Sequence, residues 1–281
     1  MPQSPSTPAP TLRDVVTVLE SLYDPSWAEP WDAVGLVCGD PDDAVRTVAF
    51  AVDPVAAVID EALERGADLL VTHHPLFLRG VHGVAATDFK GRLVHKLIRG
   101  GVALFTAHTN ADSADPGVSD ALALALGVQA LRPLDARAGN PELGIGRVGE
   151  LPEAEPLSAF ARRVAAALPA TSGGVRVAGD PQRPVRRVAV CGGSGDTFFG
   201  AARRAEADVY VTADLRHHPA SEALEAGGPA LVDVAHWASE WPWLENAARI
   251  VRSTLAAAGT NVETYVSTLV TDPWTAHVAA G

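Results

Sequence analysis

The chain has 281 residues, 47% of them hydrophobic and 20% charged, a globular composition rather than a disordered one. Its formal net charge of −12, with lysine only at Lys90 and Lys96, argues against a protein that wraps nucleic acid phosphates. No apolar run approaches the ~18 residues of a membrane helix. The two cysteines, Cys38 and Cys191, supply neither a disulfide framework nor a thiolate zinc site, so a reducing cytoplasm is the expected setting.

Residues 1–10 are rich in Pro and Ser without a basic-then-apolar order, and read as a tail rather than a secretory signal. From Thr11 onward, apolar runs of strand length alternate with amphipathic stretches of helix length, the pattern of an α/β protein. Thr11 caps a helix reaching about Tyr23, with Val15, Val16, Leu19 and Leu22 on one face. Thr47–Val52 reads as a strand, about Pro54–Arg65 as a helix, and Leu69–Val71 as a strand ending in Thr72-His73-His74-Pro75. A helix over about Gly91–Ile98, a strand Val102–Thr106 and a polar loop His108–Pro116 follow, then a helix Val118–Leu126 closing at Gly127. Residues 131–185, richer in Pro and Gly, read as a connector with a strand near Gly146–Gly149 and a helix around Leu157–Leu168. The strand Arg187–Cys191 opens a second α/β half. The expected organisation is therefore a tail 1–10, a first half 11–130, a connector 131–185 and a second half 186–281.

The two halves repeat a theme. Ala67-Asp68 leads into an apolar strand as Ala207-Asp208 does, and Ala107-His108 ends a later strand as Ala235-His236 does. A carboxylate stands four residues beyond each of those histidines, Asp112 in the first half and Glu240 in the second. In open α/β sheets, sites collect at the carboxyl ends of strands, where His73, His74, His108, His217, His218 and His236 fall. Imidazole and carboxylate suit Zn, Fe or Mn and need no thiolate. Adjacent histidines on an extended strand point to opposite faces, so His73 and His74 reach one cavity only through a turn at Pro75. Pro242 suits the first turn of a following helix, which puts His236 to Glu240 on the connection before it. Two such half-sites facing each other would make a dinuclear centre, in which a carboxylate bridges two ions sharing an activated water.

Other polar positions leave alternatives open. His217 and His218 can carry protons at a pocket or begin the helix near Pro219. Gly192-Gly193-Ser194-Gly195 can cradle a phosphate through Gly193 and Ser194, or be a tight strand-to-helix turn. His82, His95 and His277 read as surface or capping residues.

Five motifs stand in order: Trp31-Asp32-x-x-Gly35-Leu36, Thr72-His73-His74-Pro75-Leu76, His108-Thr109-Asn110-Ala111-Asp112, Cys191-Gly192-Gly193-Ser194-Gly195 and His236-Trp237-Ala238-Ser239-Glu240. Together, over about residues 12–270, they resemble the Nif-three-like dinuclear metal centre hexameric proteins, also labelled GTP cyclohydrolase type 2 homologues. The resemblance implies an α/β fold of two similar halves forming one unit, a homohexamer, and two divalent ions per chain. It implies His73, His74, Asp112, His236 and Glu240 as metal ligands, with Glu240 the bridge, and His108 in a supporting or acid/base role. His218 is a second candidate proton carrier. Thr212-Ala213-Asp214 departs from the family's Thr-Gly-acid, and Ala235 stands where Gly is common before His236; both leave the ligands in place. The function expected is metal-dependent hydrolysis of a small, nucleotide-like substrate, the alternative being a non-enzymatic metal-handling or regulatory protein. Neither a membrane nor nucleic acid is an expected partner.

Overall fold

The computed structural model describes residues 9–279, so the expectation of a tail over residues 1–10 falls, for its first eight, outside the described residues. The chain forms two compact units. The first runs to Ala111 and takes in Leu244–Thr271; the second comprises Asp112–Trp243 and the residues from Asp272 on.

In the first unit, helix α1 (Leu12–Leu22) starts at a capping box in which the Thr11 hydroxyl accepts from the Asp14 N–H and the Asp14 carboxylate accepts from the Thr11 N–H. Leu12, Val15 and Leu19 turn its apolar stripe inward. The sheet holds β1 (Gly35–Cys38), β2 (Thr47–Ala51), β3 (Leu69–Thr72), β4 (Ala103–Thr106) and β11 (Glu263–Val266) in the order β1-β4-β3-β2-β11. All its pairings are parallel except β1 with β4. Every residue of β3 and β4 is buried, as parallel strands covered on both faces must be. Helices α2 (Ala56–Glu64) and α3 (Phe89–Gly100) form the crossovers, packing Val58, Ile59, Ala62, Val94 and Leu97 against Ala49, Leu70 and Leu104.

The second unit holds α5 (Val118–Ala125), β5 (Gln129–Arg137), β6 (Asn140–Pro156), α6 (Leu157–Ala167), β7 (Arg176–Ala178), β8 (Pro184–Ser194), α7 (Phe199–Arg204), β9 (Val209–Ala213), α8 (His217–Glu225) and β10 (Ala230–Val234). Its strands run in the order β5-β6-β8-β9-β10-β7, with β8, β9 and β10 parallel. The stretch expected to be a connector is therefore threaded into this sheet: β5 pairs with β6 and β6 with β8, both antiparallel.

The repeated Ala-Asp step has one physical use in both units. Asp68 accepts from the backbone N–H groups of Arg46 and Thr47, at 2.7 and 2.9 Å, and so ties the entry of β3 to that of β2. Asp208 does the same for Arg186 and Arg187, at 2.9 and 2.8 Å, tying β9 to β8. A short carboxylate at a strand entry saturates two N–H groups that the ladder leaves over.

Two helices differ from expectation. Thr109–Ser113, expected as loop, forms the short helix α4, and α9 (His236–Ala257) begins at His236 instead of at about Pro242. Pro242 lies inside α9, lacking the N–H that a helix interior uses. The turn from His236 to Glu240 is therefore helical, which puts these two side chains on one face.

Candidate metal centre

In the first unit, β3 delivers the paired histidines. Its parallel pairing continues past its last residue, since His73 N–H donates to Ala51 O at 3.2 Å and His74 N–H to Val52 O at 2.9 Å. The Thr72 hydroxyl then donates to the His74 carbonyl at 2.9 Å and closes a turn. That turn overcomes the alternation of an extended strand: the His73 and His74 rings lie 5.1 Å apart, and 5.1 and 5.6 Å from the ring of His108. One ligand atom from each of the three lies within 4.8 Å of the others. His108 thus sits among the candidate ligands themselves, closer than a supporting role requires.

Each ring is held from behind. His73 Nδ1 is 2.9 Å from the Ala107 carbonyl, which can only accept, so Nδ1 carries a proton. His74 Nδ1 is 2.7 Å from Asp53, and His108 Nδ1 is 2.8 Å from Asp32. Asp32 also accepts from the Thr109 N–H at 3.0 Å and from its hydroxyl. Burial alone would raise the Asp32 pKa, but its bonds to His108 and Thr109 hold it far below the usual carboxylate range. Trp31, next to it, packs edge-on to His108 at 6.0 Å while remaining 57% exposed.

In the second unit, His236 and Glu240 meet on the first turn of α9, Nε2 to Oε1 at 2.9 Å. His236 Nδ1 is 2.7 Å from Asp214, which stands just past β9 with φ 58°, a left-handed conformation that Asp tolerates better than most residues. Burial would lower the His236 pKa, yet the two carboxylates flanking it push it up to about 11. Gly193, with φ 68°, passes so close that a Cβ there would lie 2.5 Å from Glu240 Oε1 and 3.0 Å from His236 Nε2. Asp112, on α4, and Glu240 both press their charge on the buried Cys191 thiol, whose pKa burial already raises.

The remaining sequence candidates fall elsewhere. His217 and His218 sit exposed at the start of α8 with rings 5.1 Å apart, and neither joins a metal-competent group among the described residues. In the glycine turn, the Gly192 N–H donates to Ser119 and the Gly193 N–H to Ser239, at 3.2 and 2.8 Å. Those two groups are committed internally, and the turn's visible service is to give Glu240 and His236 room. Sequence reasoning passed over Asp53 and Asp214 as partners of histidines. Their signal was position: each follows a strand at its carboxyl end, as the histidines do.

The donor set fits a divalent metal. Imidazole nitrogens with Nδ1 engaged by a carboxylate or carbonyl, together with buried carboxylates, make up the usual inner and outer layers of Zn, Fe or Mn sites.

A family profile described as Duf34/NIF3 (NGG1p interacting factor 3) matches residues 10–273. A Streptomyces coelicolor protein named GTP cyclohydrolase 1 type 2 homolog is 55% identical over 273 residues, covering 96% of either chain. A Mycobacterium tuberculosis protein of the same name is 40% identical over 369 residues, covering 94% of this chain and 96% of its own. Among solved structures, a Bacillus cereus protein related to NIF3 superposes with a TM-score of 0.88 at 25% identity, covering 95% of this chain and 99% of that one.

Proposed function

Because the chain belongs to the Duf34/NIF3 family, we propose that it is a metal-dependent hydrolase of a small substrate bearing a flat heteroaromatic ring, such as a purine nucleotide. Each unit offers its own candidate ligands for a divalent ion: His73, His74 and His108 would serve in the first, and Asp112, His236 and Glu240 in the second. The observation that carries this reading is the shared arrangement of four histidines, each with Nδ1 held by a carbonyl or carboxylate oxygen. The names of the curated relatives support a nucleotide substrate.

The ions, when bound, supply Lewis-acid polarisation and water activation. The chain's own residues do the rest. Asp32, Asp53 and Asp214 fix ring orientation and tautomer, and Glu240 places negative charge beside His236. Trp31 presents an open ring beside His108 on a segment pinned by Asp32, a rigid wall for a planar base. The protein works in the cytoplasm as a homohexamer. No helix among the described residues is long and apolar enough to cross a membrane.

The test is a turnover assay of protein reconstituted with Zn, Mn or Fe(II) against GTP and other purine nucleotides. Metal-dependent product formation is expected. Trp31→Leu should lower kcat/KM about tenfold, mainly through KM, with native metal content and with Trp31→Phe restoring it, because stacking contributes about 1–3 kcal/mol per base. Fully metallated protein that turns over no purine nucleotide would contradict the hydrolase reading and leave a metal-handling protein.

A further inference from the structure

Beyond β11 the chain keeps following β2. Val266 is the register partner of Phe50, and the next residue, Ser267, donates its N–H to the Phe50 carbonyl at 2.8 Å. The Ser267 hydroxyl is bonded to Glu61 on α2 at 2.5 Å and accepts from the Leu269 N–H at 3.3 Å. Four residues after Ser267, the hydroxyl of Thr271 donates to Oδ2 of Asp53, just past the end of β2. The other oxygen of that carboxylate, Oδ1, is the one 2.7 Å from His74 Nδ1.

We propose that Thr271 is a positioning residue for His74, acting through Asp53, and that the segment Ser267–Thr271 is a strap that sets how firmly His74 presents its ligand nitrogen. The proposal rests on the metal-centre reading above. An aspartate carboxylate turns easily about its terminal torsion. With Oδ2 tied to Thr271, Oδ1 has one direction left, toward His74. Asp53 and His74 are both about one-fifth exposed, at 22% and 23%, so water competes for the carboxylate once the strap lets go. Partners behind a ligating histidine usually govern metal affinity by 10–100-fold, and a residue one step further out should act at the lower end of that range. Thr271 is separated from Asp53 by 218 positions in the chain, which is why the motif around His73 and His74 does not reveal it.

The test is Co2+ titration of the full chain, read by the visible absorption of the bound ion, with ring nitrogen NMR of His74 recorded before metal is added. Thr271→Val keeps the shape and removes the hydroxyl; it should weaken the Co2+ site that includes His74 about tenfold. Thr271→Ser should recover affinity to within about twofold of native, because it keeps the donor. Adding Thr271→Val to Asp53→Asn should weaken binding no further than Asp53→Asn does alone, as for two residues on one path. Native affinity in Thr271→Val, or a second full loss on top of Asp53→Asn, would overturn the proposal. A native chain that takes up no Co2+ would defeat the metal reading, yet the NMR arm would still decide the role of Thr271. In metal-free protein, Thr271→Val should move His74 from one Nδ1–H tautomer toward a mixture, and an unchanged His74 spectrum would overturn the strap.

Discussion

Gly193→Ala is expected to weaken metal binding strongly while both sheets stay folded. The backbone at Gly193 has φ 68°, which costs a residue with a Cβ about 1–2 kcal/mol. The added methyl would lie 2.5 Å from Glu240 Oε1 and 3.0 Å from His236 Nε2, distances at which something must move. The backbone is poorly placed to yield, because the Gly193 N–H donates to the Ser239 hydroxyl and the Gly193 carbonyl accepts from the Thr212 hydroxyl. The side chains that give way are therefore the candidate ligands. Metal affinity should fall on the order of 100-fold, the upper range for disturbing a layer that holds ligands. Metal titration together with thermal unfolding checks this, and native affinity in the variant would remove Gly193 from the account.

The largest loss of stability is expected at Arg147. Its guanidinium, 2% exposed, donates through Nε to Asp120 at 2.7 Å and through one terminal nitrogen to the carbonyls of Gly144 and Gly146, at 2.7 and 2.8 Å. The other terminal nitrogen reaches the carbonyl of Ala114, two residues past the candidate ligand Asp112. Asp120 in turn accepts from the Gly117 N–H at 2.7 Å, at the start of α5. Removing one partner of a buried ion pair leaves the other charged and desolvated, which costs about 3–5 kcal/mol. Arg147→Ala should therefore lower the unfolding free energy of the second unit by about that amount, measured by chemical denaturation. Arg147→Met combined with Asp120→Leu should recover part of the loss, since an apolar pair of similar volume leaves no stranded charge. The Gly117 N–H would still lack its acceptor, so recovery should be incomplete.

What the sequence made legible follows from where its physics is local. The capping box at Thr11 needs residues three apart, and the apolar runs of β3, β4, β9 and β10 need only burial on both faces, so all were readable. The candidate histidines were readable because they follow those strands. By contrast, β5 is mostly exposed, with a single buried residue, and β6 carries Gly144 and Gly146 at positive φ within its 17 residues. Neither presents a clean alternation, and of the pair only a strand near Gly146–Gly149 was read, inside a connector. The carboxylates behind the histidines were hidden for another reason: Asp53 lies 21 residues from His74, Asp32 lies 76 from His108, and Asp214 lies 22 from His236. Only the fold brings them together. The glycine turn was read as a phosphate cradle or a tight strand-to-helix turn; what neither reading supplied is the use of the missing side chain of Gly193.

The central claim, that these side chains hold two divalent ions, is tested most directly by metal content. Elemental mass spectrometry would be run on the full chain and on Glu240→Ala, each purified without chelators and then reconstituted. About two ions per native chain, falling sharply in Glu240→Ala, is the predicted result for a two-ion site with a shared carboxylate. Native protein that holds no stoichiometric metal after reconstitution would contradict the account, and the histidines would then be structural.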